Sequence, residues 1–183
     1  MLLKSQEALR ESKMHDMLVK LYDLDKYLGR QNGAMPEITI RKPIGPEKHV
    51  LVEWVGKKFF KAWASEFDMA MNNRPVTCFI AVQDKEPVGF ACYDATARGF
   101  FGPTGVISSL RNRGIGTTLL LTALKDMRNN GYGYAIIGGV GPAEYYKKTV
   151  GAADIENSAP GIWESWIEEP NSRFAKFFLP KDS

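Results

Sequence analysis

With 183 residues, 44% hydrophobic and 25% charged, the chain has the length for one domain with a sizeable core and the composition of a globular rather than a disordered protein. Its formal charge of +3 suits an anionic ligand and is too weak to argue for nucleic acid. Two cysteines, Cys78 and Cys92, and two histidines, His15 and His49, lie far apart in no ligand-like spacing, so no metal site is expected.

Residues 1–35 are set apart as an N-terminal extension, with 36–183 as a single domain. Ser5 to Lys13 is charged and helix-permissive, and Leu18 to Leu24 alternates only in part, which leaves a helix or an added strand open. Gly29 to Pro36 is turn-like. Ile38 to Arg41 predicts a short strand. Pro46-Glu47 predicts a helix start, because proline at the first position loses no needed donor, and Leu51, Val55 and Phe59 then recur at four-residue spacing. His49, in the first turn of that helix, is expected at the surface. A second helix is expected over Ser65 to Asn72, before Pro75.

Val76 to Val82 and Val88 to Tyr93 are nearly all apolar and predict a hairpin buried on both faces, with Asp84 to Pro87 between the strands. Cys78 and Cys92 fall on these neighbouring strands and read as buried free thiols rather than a disulfide. Phe100 to Ser108 is a third strand whose Gly102-Pro103 and Gly105 point to a bulge or a close backbone approach. Gly114 to Asn130 is the longest helical signal. Leu120, Leu124 and Met127 make one apolar row that Leu119 and Ala123 widen, and Asn130-Gly131 is a left-handed cap. Tyr134 to Ile137 is a buried strand running into Gly138-Gly139. Gly141-Pro142 opens a helix through Val150, closed by Gly151. Two short strands are expected near Ala153–Ile155 and Gly161–Ile167, and Phe174 to Leu179 is expected to pack back onto the body. No apolar run approaches the roughly 18 residues of a membrane span, and the N-terminus turns polar at Lys4, so no membrane partner and a cytoplasmic location are expected.

The chemistry is carried by strand, then Arg111-Asn112-Arg113-Gly114-Ile115-Gly116-Thr117, then helix. A helix start offers unpaired N–H groups and a positive dipole end. The glycines remove the Cβ atoms that would hold a phosphate off, and two arginines and the Thr117 hydroxyl add donors, which together make a pyrophosphate cradle. A dinucleotide fingerprint does not fit, because Gly114-Ile115-Gly116 continues into Thr117-Thr118-Leu119. A P-loop does not fit either, since the single Gly-Lys pair, Gly56-Lys57, is followed by Lys58. Taken alone, the loop is equally compatible with an ordinary tight turn into a helix.

Two motifs in the right order widen that reading. Arg111-Asn112-Arg113-Gly114-Ile115-Gly116 resembles the Arg/Gln-x-x-Gly-x-Gly/Ala of the GCN5-related N-acetyltransferase superfamily. Tyr145-Tyr146-Lys147-Lys148-Thr149-Val150-Gly151 is similar to its Phe-Tyr-x-Lys-x-Gly segment, with one extra residue before the glycine. Ser108 stands where the family usually has a proline. The likeness runs from about residue 37 to 167.

It implies an α/β fold with a central, mostly antiparallel sheet of six to seven strands flanked by helices and splayed between the family's fourth and fifth strands. It also implies acetyl-CoA, or another acyl-CoA, as co-substrate, held by Val106, Ile107 and Ser108 together with Arg111 to Thr117. A backbone N–H at or near Val106 would stabilise the developing oxyanion. Tyr146 would protonate the leaving thiolate, while Tyr145, on another helix face, would be core. The acceptor would be a small-molecule or peptide amine attacking directly, so neither cysteine is expected to be a nucleophile.

Neither of the two splayed strands carries a carboxylate for a general base. Asp94 is the nearest candidate, with turn capping as its alternative role, and Glu144 is a weaker one. The other reading is a non-catalytic module that binds or senses acyl-CoA. A homodimer through the C-terminal strands is also compatible with the sequence.

Overall fold

A computed structural model describes residues 15–29 and 37–167. Among them, seven strands and five α-helices give a mixed α/β fold. In chain order these are β1 (Met17–Lys20), α1 (Asp25–Leu28), β2 (Thr39–Arg41), α2 (Lys48–Lys58), α3 (Lys61–Asn72), β3 (Cys78–Gln83), β4 (Glu86–Tyr93), β5 (Phe100–Val106), α4 (Ile115–Asn129), β6 (Tyr134–Ile137), α5 (Ala143–Val150) and β7 (Ala153–Asp154). The helix-permissive stretch 5–13, most of the turn at 29–36 and the Phe174–Leu179 segment lie outside the described residues. The chain divides into a larger unit, Lys20–Ala135, and a smaller one that joins Met1–Val19 to Ile136–Ser183.

In the larger unit β2, β3, β4 and β5 lie side by side, each pair antiparallel. The β3–β4 hairpin turns on two residues, Asp84 and Lys85, both at positive φ, the turn whose twist matches its strands. Glu86 and Pro87, expected in the connection, are strand residues. The register slips by one beside Pro87, where a bulge tolerates a residue with no N–H to donate. Cys78 stands opposite Cys92, and both are free and buried, as expected.

Side-chain alternation assigns the two faces of this sheet. Cys78, Ile80, Phe90 and Cys92 share a core with Leu51 and Val55 of α2 and Phe67, Ala70 and Met71 of α3. The opposite face meets α4, which buries Ile115, Leu119, Leu120, Leu121, Ala123, Leu124 and Met127. Helix α4 ends as expected: Gly131 takes φ +91, its N–H reaches the Arg128 carbonyl and the Tyr132 N–H reaches that of Met127, which is the Schellman pattern. Helix α3 begins four residues before the expected Ser65. Ala62 and Ala64 favour helix, and the Ser65 hydroxyl bonds back to the Lys61 carbonyl at 3.4 Å instead of capping.

In the smaller unit β1 pairs antiparallel with β7, Met17 opposite Asp154, and its other edge adjoins β6. Beyond that edge the Val140 N–H donates to the His15 carbonyl at 3.1 Å. The ambiguous Leu18–Leu24 segment is therefore strand as far as Lys20, followed by a 3-10 turn over Leu21–Asp23. Gly151 closes α5 at φ +63. The strand expected over Gly161–Ile167 is not formed. Gly161 adopts φ +60 and the Trp163 N–H bonds the Pro160 carbonyl, so Gly161–Trp163 is a 3-10 turn.

Candidate active site

The glycine loop runs directly into α4, and its two glycines stand in different situations. Gly114 is the N-cap of α4 at φ +88, a left-handed backbone that costs an L-residue roughly 1–2 kcal/mol. Gly116 has no such constraint. A Cβ there would lie 3.7 Å from Val106 Cγ2, an ordinary contact, and meet nothing closer. What that Cβ would fill is the space over the first turn, where the N–H groups of Ile115 and Gly116 have no intrahelical acceptor. Asn112, at φ +62, turns the preceding backbone, and the buried Ile115 side chain anchors the helix start in the core. The donor set and the missing side chain fit a pyrophosphate group. Arg111 and Arg113 are exposed. The Arg111 Nε is turned back to donate to the Val106 carbonyl at 3.1 Å, which ties the cradle to the end of β5.

Strand β5 contributes its outer edge. Its register against β4 slips between the Ala91–Thr104 and Tyr93–Phe101 pairs, which places the extra residue at Gly102-Pro103, the bulge expected there. The Ile107 N–H is used by the Val88 carbonyl at 3.0 Å. Because donors alternate edges along an antiparallel ladder, Gly105 and Ile107 face β4, whereas the N–H groups of Thr104 and Val106 point off it. Gly105 also meets the expectation of a close approach, since a Cβ there would sit 2.7 Å from the Phe59 ring. That ring belongs to an aromatic group with Trp54, Trp63 and Phe90. Ser108 opens a 3-10 turn through Leu110, which carries the chain from strand to cradle.

Tyr146 lies in the smaller unit, 7% exposed. Burial, reinforced by the neighbouring Tyr145, pushes its phenol well above the ordinary value. Tyr145, expected as the core residue of the two, is the half-buried one, and it packs edge-on against Tyr146 at 5.0 Å. Helix α5 is rotated so that Tyr146 and Val150, four residues apart, face inward.

Asp94 is not brought to the cradle. It closes the β4–β5 connection at φ +53, with Oδ1 accepting the Gly99 N–H at 2.7 Å and Oδ2 accepting the Tyr132 hydroxyl at 2.5 Å. At ~3.3 Å per residue the length of β5, about 20 Å, separates it from Val106. This is the geometry of the turn-capping role. A cavity of about 450 Å³ opens at that end, lined by Asn73, Arg74, Asp94, Arg98 and Tyr132 among others, but the length of the strand separates it from the Arg111–Thr117 loop. Glu144 is exposed beside Lys147, and His49 is exposed as expected.

One carboxylate escaped the sequence reading. Asp16, 7% exposed, is the only acidic residue buried to this degree among those described. Its Oδ1 accepts the Gly139 N–H at 2.9 Å, immediately beyond β6. Burial raises its pKa, partly offset by that hydrogen bond and by His15. An isolated Asp before an apolar run carries no local signature. Its surroundings come from residues far along the chain.

A family model described as "Acetyltransferase (GNAT) family" matches residues 48–151. No curated protein sequence is significantly similar to the chain. Among solved structures, a GCN5-related N-acetyltransferase from Sphaerobacter thermophilus aligns with TM-score 0.60 at 20% identity, over 78% of this chain and 48% of that one. The GCN5-related glucosamine N-acetyltransferase region of a fungal multi-domain GH3 β-N-acetylglucosaminidase gives 0.59 at 14% identity, over 78% and 20%. A GCN5-related N-acetyltransferase from Kribbella flavida gives 0.51 at 16%, over 77% and 54%. These are similarities of fold, and the chain spans little more than half the length of the nearest of these in size.

Proposed function

Because the chain belongs to the acetyltransferase (GNAT) family, we propose that it transfers the acetyl group of acetyl-CoA directly to a primary amine of a small molecule or peptide. The first-turn N–H groups of α4, with Arg113 and the outward face of Arg111, bind the pyrophosphate. The Val106 N–H, directed off the β4 edge, receives the thioester oxygen and stabilises the negative charge that develops on it. The acceptor nitrogen bonds to the carbonyl carbon, the carbon–sulfur bond breaks, and Tyr146 gives its hydroxyl proton to the sulfur. The burial that raises the Tyr146 phenol raises a thiol beside it as well, so the gap between donor and acceptor stays modest. Asp94 has no part in this scheme beyond holding its turn.

The observation that carries the reading is Gly116, a glycine demanded neither by its backbone nor by its protein neighbours, at the one place where a methyl group would close the cradle. The test pairs calorimetric binding of acetyl-CoA with thiol release across a panel of primary amines. Saturable binding with amine-dependent release supports transfer. Binding without release from any amine favours the acyl-CoA sensing module. No binding at all overturns both.

A further inference from the structure

Resting on the acetyl-transfer reading, we propose that the acceptor amine is carried on an aromatic frame, an arylalkylamine with a single positive charge, and that Trp63 is the residue that selects it. The residues concerned lie wholly in the larger unit. Phe59 closes α2 as its C-cap, and Trp63 stands in the first turn of α3. Both belong to the aromatic group over Gly105, one residue from the Val106 N–H that receives the thioester oxygen in that reading.

The Phe59 ring lies on the main chain of β5. A Cβ built on Gly105 would stand 2.7 Å from Phe59 Cε1 and 3.0 Å from Cδ1 and Cζ. Gly105 is not at positive φ, so the glycine serves this approach and not its own backbone. The Val106 Cα follows at ~3.8 Å across the peptide. Phe90, opposite Gly105 on β4 and fully buried, is the floor of the group. Phe59 packs on it at 5.3 Å and Trp63 at 6.1 Å. Trp63 stands 5.8 Å from Phe59 with the two rings 34° apart, and Trp54 meets Phe59 edge-on at 5.5 Å.

The rings above Phe90 do not close over it. Trp54, Phe59 and Trp63 are each only half-buried. The indole N–H of Trp63 donates to no described residue and is not a buried atom, whereas a tryptophan taken into a core gives its N–H a partner. The charge around the rings chooses among amines. Lys57, Lys58 and Lys61 are all exposed at the corner between α2 and α3. The carboxylates on these two helices closest to the corner in sequence are engaged: Glu53 pairs with Lys57 at 2.6 Å, and Glu66, three residues beyond Trp63, accepts the Thr96 hydroxyl. A second ammonium on the acceptor, as in a polyamine, meets like charge at this corner. An aromatic ring instead stacks on Trp63 and Phe59 in the offset and edge-on contacts that the rings already make with one another. The amine nitrogen gains the acetyl group and gives up a proton to water, and the sulfur leaves with one.

The test uses the full chain with acetyl-CoA, read by thiol release, and sets phenethylamine, tyramine and tryptamine against lysine, spermidine and glucosamine. In the wild type, kcat/KM for the aryl amines is expected to exceed that for the other acceptors by about 100-fold or more. Trp63→Ala is expected to shrink that preference by about 10- to 100-fold, mainly through KM for the aryl amines, and to bind acetyl-CoA within twofold of wild type. Trp63→Phe, which keeps a ring, is expected to retain most of the preference, which a merely structural role for the residue would not require. A wild-type preference for lysine, spermidine or glucosamine, or an aryl preference that Trp63→Ala leaves intact, overturns this assignment and leaves the transfer reading standing. Should Trp63→Ala fail to fold, Trp63→Leu takes its place, and where neither folds the wild-type preference decides alone. Wild-type protein that releases no thiol with any acceptor overturns the transfer reading and this assignment together.

Discussion

Gly116→Ala separates a ligand's need from the fold's. Helix α4 accepts the methyl group, because the nearest atom is 3.7 Å away and the backbone is helical. Alanine is worth up to about 1 kcal/mol more than glycine in a helix, somewhat less in its first turn. For a chain of this length 1 kcal/mol moves Tm by roughly 2–4 °C, so the variant is expected to melt at the wild-type temperature or slightly above it. The ligand meets the opposite situation. A methyl group over the first turn holds the pyrophosphate off the N–H groups, at the loss of one or two charge-assisted hydrogen bonds of ~1.5–3 kcal/mol each. At 1.4 kcal/mol per decade, acetyl-CoA affinity falls between about tenfold and about ten-thousandfold. Isothermal calorimetry reads the affinity and scanning calorimetry the stability. Gly114→Ala is the control: at φ +88 it is expected to lower Tm, by the cost of a left-handed alanine. Unchanged affinity in Gly116→Ala removes the cradle, and a clear drop in its Tm makes Gly116 a structural glycine instead.

Tyr146→Phe is expected to lower kcat by about 100-fold with acetyl-CoA affinity unchanged, and the raised phenol predicts no loss of wild-type activity from Tyr146 ionisation up to about pH 10; a wild-type rate in the variant returns Tyr146 to a wall of the site. Gly105→Ala drives a Cβ to 2.7 Å from the Phe59 ring and is expected to cost about 1–3 kcal/mol, part of it recovered by adding Phe59→Leu; melting curves of the single and double variants decide it. Glu47 is held at a pKa of about 2 from an ordinary 4.5, chiefly by its pairing with Arg41. A depressed folded value stabilises above the unfolded pKa and loses that contribution as pH falls from 4.5 towards 2. Glu47→Gln is therefore expected to be less stable than wild type at pH 7 and equal to it near pH 2, as urea titrations at the two pH values would show.

What could be read in the sequence followed the range of the interactions involved. The β3–β4 hairpin, the glycine bulge of β5 and the Asn130-Gly131 cap are written in residues that touch their neighbours in sequence, and each formed as its local chemistry required. The shape of the Arg111–Thr117 loop was legible for the same reason, since loop and helix start are contiguous. The start of α3 was expected four residues late, because Lys61 to Ala64 carries no cap or proline to mark a helix start. Tyr145 and Tyr146 were distinguishable only by the rotation of α5, which packing sets. Asp16 was the least legible. Its partners Gly139 and Ser158 stand 123 and 142 residues away, and no spacing rule reaches across such an interval.

That interval bears on synthesis. Residues 20–135 can settle as the chain lengthens, and the cradle with them. Asp16 leaves the ribosome before the cradle does, yet it cannot be clamped until Ile155 and Ser158 have emerged as well. At ~5–20 residues per second, several seconds pass between the loop's last residue and the last anchor of Asp16. A nascent or truncated chain in that window holds the glycine loop complete while Asp16 still lacks its clamp, so the clamp reports that the chain has been made through Ser158.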